Sequence, residues 1–94
     1  MNRIEHLMTI AGEECSEVHQ ELCKALRFGL HEQRDLPTSN HERIQKEYND
    51  LLAMIDMLND ESGFDLYRDP KMIKQKRDKV EKYLLYSKEQ GTLL

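Results

Sequence analysis

Tryptophan is absent from this chain, and its 94 residues include only two phenylalanines, two prolines and four glycines. Sheet proteins need turn residues at close intervals, so this scarcity speaks against a many-stranded fold. No stretch of about 18 consecutive apolar residues occurs, and no membrane span is expected. The first residues include Glu5 and His6 and no apolar run, so no signal peptide is expected either. Cys15 and Cys23 are the only cysteines. Eight positions apart on one helix they stand about 12 Å apart by rise alone, beyond disulfide reach. They read as reduced thiols, and a cytoplasmic location is the expectation. Cationic excess is missing as well: the net charge is −4, which argues against nucleic acid as a partner.

Charge and amphipathic pattern fill the space. Charged residues make up 34% and hydrophobic ones 38%, a balance suited to long amphipathic helices that find part of their core by self-association. The expected fold is all-α, a small antiparallel bundle of about three helices in a single domain over residues 1–94. A first helix over about 3–27 carries Ile4, Leu7, Met8, Ala11, Cys15, Val18, Leu22, Ala25 and Leu26 at intervals of three and four. Gly29 stops it. After a loop containing Pro37, Ser39 and Glu42 form a capping box for a second helix over about 41–60. Its apolar face is Ile44, Tyr48, Leu51, Leu52, Ile55 and Leu58. Asp69 as cap and Pro70 at the first position start a third helix over about 70–89. That helix carries Ile73, Val80, Tyr83 and Leu84 inside, with Lys71, Lys74, Lys76, Arg77, Lys79 and Lys82 mostly outside.

The acids are the informative residues. Like charges three or four positions apart on a helix repel by a few tenths of a kcal/mol per pair, yet Glu13, Glu14, Glu17 and Glu21 crowd one segment. On a helical wheel centred on Ile4, Glu14 falls about 80° and Glu17 about 140° to one side, while Glu13 points opposite the stripe. Glu47 and Asp50 fall about 60° and 120° to the same side of Ile44. Two antiparallel helices could therefore bring four carboxylates around one point. Unneutralised carboxylates raise one another's pKa, and a hard divalent cation, Mg²⁺ or Mn²⁺, relieves this. Acid pairs at this spacing are also common on solvated helix faces. A di-iron carboxylate bundle fits poorly, because no histidine here follows an acid by three positions.

"EECSEV" followed by "EYNDLLAMIDML" resembles the signature of the MazG-like, all-α nucleoside triphosphate pyrophosphohydrolases, Glu-Glu-x-x-Glu on one helix and Glu-x-x-Asp on the next. The resemblance covers roughly residues 4 to 60. It implies hydrolysis of a (d)NTP between the α and β phosphates, giving the monophosphate and pyrophosphate. Carried over residue by residue, it implies Glu14, Glu17, Glu47 and Asp50 as metal ligands, with Glu13 and Glu17 as catalytic candidates. Substrate-binding candidates are His6, Ile10, Lys24, Arg27 and Asn49. The segment between the motifs, Val18 to Lys46, is somewhat long for the family, which points to a neighbouring subunit completing the site. A homodimer or homotetramer is implied. The alternative is a non-enzymatic helical oligomeric interaction module using the basic third helix.

Overall fold

The computed structural model describes residues 1–61 and 63–94. Three α-helices make up the ordered elements among the described residues: α1 Arg3–Phe28, α2 Asn40–Asp60 and α3 Pro70–Glu89. The all-α expectation holds, and the helix ends fall within a residue of those read from the caps. Asn2 accepts a hydrogen bond from the Glu5 amide at the start of α1. Ser39 and Glu42 form both halves of the capping box on α2. Asp69 accepts from the Lys71 and Met72 amides ahead of Pro70. Gly29 ends α1 with φ at +108°, a conformation that a side chain would strain.

α1 and α2 pack as an antiparallel hairpin. Their register is fixed by three pairings: Leu7 and Ala11 cluster with Met54 and Leu58, Glu14 meets Glu47 and Asp50, and Glu21 meets Arg43. As one partner number rises the other falls. The positions turned inward on α1 are Ile4, Leu7, Ala11, Glu14, Val18, Glu21 and Ala25, each buried or half-buried. On α2 they are Asn40, Ile44, Glu47, Leu51, Met54 and Leu58. Both series alternate steps of three and four, the period of 3.5 that keeps two helices in continuous contact.

This seam differs from the stripe centred on Ile4. Met8, Cys15, Leu22 and Leu26 are exposed, and Glu14 and Glu21 take inward places. The reason is geometric. An ideal helix drifts by about 20° per heptad against a strict 3.5 repeat, so a wheel anchored at one end misplaces residues several turns away. The seam is consequently apolar at one end and polar at the other. Leu7, Ala11, Met54 and Leu58 form the buried core, with Phe64 packed against it from the following segment. Burying each leucine contributes about 1.5–3 kcal/mol. At the other end Asn40 is fully buried and donates to the Gly29 carbonyl (2.7 Å) and the Glu32 carboxylate (3.1 Å).

Among the described residues α3 packs against neither α1 nor α2. Ile73 is half-buried, but Val80, Tyr83 and Leu84, read from the sequence as inward, are exposed. The radius of gyration is 17.0 Å, against about 12 Å for a compact domain of this length. No helix is long and apolar enough to cross a membrane among the described residues.

Candidate functional site

The polar half of the seam begins one helical turn past Ala11. Glu14 and Glu47 occupy facing inward positions, and Asp50 follows Glu47 by nearly one turn on the same flank. One carboxylate oxygen from each of the three lies within 4.8 Å of the others. Glu14 and Glu47 each bury an Oε2 atom that has no hydrogen-bond partner. A buried carboxylate oxygen without a partner is costly, and more so beside others of the same charge. The Glu47 side chain is only 16% exposed.

Electrostatics follow from that placement. A hydrogen bond shared with the Glu17 carboxyl, and then burial, hold the Glu47 carboxyl above its ordinary range. The neighbouring Lys46 ammonium pulls the other way without prevailing. Lys46 lies at 2.7 Å from Asp50 and 3.8 Å from Glu47. The hydrogen bond to Asp50 is the main reason its own pKa is raised. One exposed lysine is thus the counter-charge of the whole group. An exposed ammonium is strongly hydrated and weakly bound, so it neutralises the cluster incompletely.

The sequence candidates divide into those brought together and those that are not. Glu14, Glu47 and Asp50 converge, whereas Glu17, expected as a fourth ligand, is exposed and stands outside the group, acting on it by raising the Glu47 pKa. Glu13 is exposed, and no hydrogen bond or ion pair joins it to the group. Lys24 is turned to Glu21 at 3.3 Å, and Arg27 lies over the Phe28 ring at 4.8 Å. The Asn49 amide donates to the Gln45 carbonyl of its own helix at 2.8 Å. His6 and Ile10 are exposed upstream on α1.

A second polar group was not anticipated. Glu21, buried one heptad beyond Glu14, pairs with Lys24 and with Arg43 at 3.4 Å. Arg43 and Arg34 both donate to Asn40 Oδ1, and Arg34 also pairs with Glu32 at 3.5 Å. Counting heptads from Leu7 would have found Glu21, since 7, 14 and 21 fall on one edge of the seam. The loop geometry that delivers Arg34 has no such signal: Arg34 and Asp35 both have positive φ.

The all-oxygen donor set and the two unpartnered buried oxygens fit a hard divalent cation such as Mg²⁺ or Mn²⁺. Comparison with models of protein families, with characterised proteins and with solved structures gave no significant match.

Proposed function

We propose that the chain is a metal-dependent nucleoside triphosphate pyrophosphohydrolase of the MazG-like kind, converting a (d)NTP to the (d)NMP and pyrophosphate. The observation that carries this reading is the convergence of Glu14, Glu47 and Asp50 with two carboxylate oxygens buried and unpartnered. The ordered acid pairs on α1 and α2 support it. Glu14, Glu47 and Asp50 would hold Mg²⁺ or Mn²⁺, with Glu17 at the edge. A cation bound there supplies charge neutralisation for the phosphates and a lowered pKa for an attacking water.

The chain's own residues have distinct tasks. Glu17 lies outside the three-carboxylate group, exposed and near enough to raise the Glu47 pKa. It is the carboxylate left to orient the water and accept its proton. Glu13 faces away and has at most an indirect part. Lys46, largely exposed beside Asp50 and Glu47, would turn to a phosphate oxygen. Lys24 and Arg27 lie further along α1, towards the far phosphates. His6 and Ile10 lie upstream on the acid flank for the base and sugar, and Asn49 is a further polar contact. The active form is a homodimer or homotetramer, because the hairpin core is small and, among the described residues, α3 packs against neither α1 nor α2.

The exposed apolar residues of α3 favour a second reading, a helical interaction module without turnover. Incubation of the purified protein with Mg²⁺ or Mn²⁺ against a panel of (d)NTPs decides between them, with pyrophosphate scored separately from orthophosphate. Pyrophosphate with the nucleoside monophosphate supports the hydrolase. No metal-dependent product supports the module.

A further inference from the structure

Of the ion pairs formed among the described residues, two share one cation: Lys46 stands 2.7 Å from Asp50 and 3.8 Å from Glu47. The other paired cations have their acids elsewhere. Lys24 and Arg43 hold Glu21, Arg34 holds Glu32, Arg3 holds Glu61 and Lys74 holds Asp78. Among the described residues, the Glu14–Glu47–Asp50 group is thus met by one ammonium against three carboxylates.

That ammonium is held loosely. Lys46 precedes Asp50 by four positions, and a base ahead of an acid is the less favourable order on a helix. Its side chain is 68% exposed, so water competes for the charge. Its flexible stem ends in a compact, strongly hydrated point charge, not in a planar fork that locks on two oxygens. Arg43, one turn earlier on α2, shows the contrast: it is 15% exposed and bonds Thr38 and Asn40 besides pairing with Glu21.

The charge is also incompletely answered. Lys46 approaches Oδ2 of Asp50 and Oε1 of Glu47, while Oε2 of Glu47 and Oε2 of Glu14 stay buried without a partner. A divalent cation carries twice the charge and takes oxygen ligands from several sides, which suits what one ammonium leaves unmet. Asp50 and Glu47 are common to both, and two positive centres on the same carboxylates repel.

We infer that Lys46 is an exchangeable internal counter-ion, paired with the acidic group in the metal-free chain and released from Asp50 and Glu47 when a divalent cation binds there. This exchange rests on the metal-site reading of the acids and deepens it by naming what the cation displaces. Lys46 then stabilises the metal-free protein selectively, and by linkage it lowers the affinity for the cation to the same extent.

Thermal unfolding and Mn²⁺ titration of the full chain, Lys46→Gln and Lys46→Arg test the exchange at constant ionic strength. Position 46 is exposed, and glutamine and arginine match lysine in helix propensity, so both variants should keep the helical circular dichroism of the wild type. Without a divalent cation, Lys46→Gln should unfold at a lower temperature than the wild type. In saturating Mg²⁺ the two unfolding temperatures should coincide. By the same cycle Lys46→Gln should bind Mn²⁺ at least about threefold more tightly, read from the paramagnetic resonance of the unbound ion. Lys46→Arg keeps the charge and should follow the wild type in both measurements. An equal drop in unfolding temperature with and without Mg²⁺, or equal Mn²⁺ affinities, would overturn the exchange and leave the metal site standing. If Mn²⁺ binds to neither protein and Mg²⁺ stabilises neither, the metal-site reading fails and the exchange fails with it.

Discussion

Glu14 and Glu47 face each other across the α1–α2 seam at positions where the heptad spacing calls for apolar side chains, and each buries a carboxylate oxygen with no hydrogen-bond partner. A hairpin selected only for stability would have leucine there.

Substituting both, Glu14→Leu with Glu47→Leu, should therefore stabilise the metal-free protein by about 1–4 kcal/mol, the gain seen when buried charged groups give way to packed apolar ones. The same variant should lose any stabilisation by Mg²⁺ or Mn²⁺. Urea unfolding with and without the cation measures both. A destabilised double variant would mean that the carboxylates hold the hairpin together, contrary to this account.

The pH dependence has a definite sign. The Glu47 carboxyl is held above its ordinary value of 4.5 in the folded chain, so the fold favours the protonated form. Its contribution to stability is full below about pH 4.5 and is lost as pH rises through the higher folded value. Thermal unfolding of the metal-free protein across that window should show a fall that the Glu47→Gln variant lacks. Identical pH profiles for the two proteins would remove the burial argument. Added Mg²⁺ should restore wild-type stability on the neutral side.

Roles within the acidic group separate kinetically. Glu47→Ala or Asp50→Ala should abolish metal-dependent turnover while circular dichroism keeps the helical signal. Glu17→Gln should lower kcat by about 10²–10⁴, the usual worth of a positioned general base, with smaller change in the affinity for Mn²⁺. Glu13→Gln should be close to wild type. Wild-type turnover in the Asp50 variant would place the site elsewhere.

The polar end of the hairpin is structural. Asn40→Ala leaves the buried ends of Arg34 and Arg43 without their shared acceptor, at a cost of about 1–3 kcal/mol. Urea unfolding reads this directly, and a loss near zero would show that the network is solvated.

Much of the fold was legible because its signals are local. Ser39 with Glu42, Asp69 with Pro70, and Gly29 each satisfy helix-end groups through chemistry within a few residues, so the helix ends could be read from sequence. Of the four carboxylates expected to converge, Glu14, Glu47 and Asp50 do, since the i,i+3 spacing puts each acid pair on one flank, while Glu17 lies further round α1 and stays exposed. What sequence did not give was relational. Glu21 and Arg43 pair across helices, and their meeting depends on a register set by the Leu7–Leu58 end. Lys46 pairs with Asp50 at 2.7 Å, but its spacing alone does not set it apart from the other surface cations. Phe64 on the hairpin core and the paired hydrogen bonds between the Asn59 side chain and the Leu66 backbone belong to an irregular segment that no periodicity announces.

The central claim is best tested by the products of one reaction. Wild-type protein and its Glu47→Gln variant are incubated with Mg²⁺ and a hydrolysed (d)NTP, and phosphorus NMR follows the phosphates. The account predicts equal amounts of monophosphate and pyrophosphate from the wild type, none without the cation, and none from the variant. Orthophosphate as the primary product, or equal rates from both proteins, would contradict it.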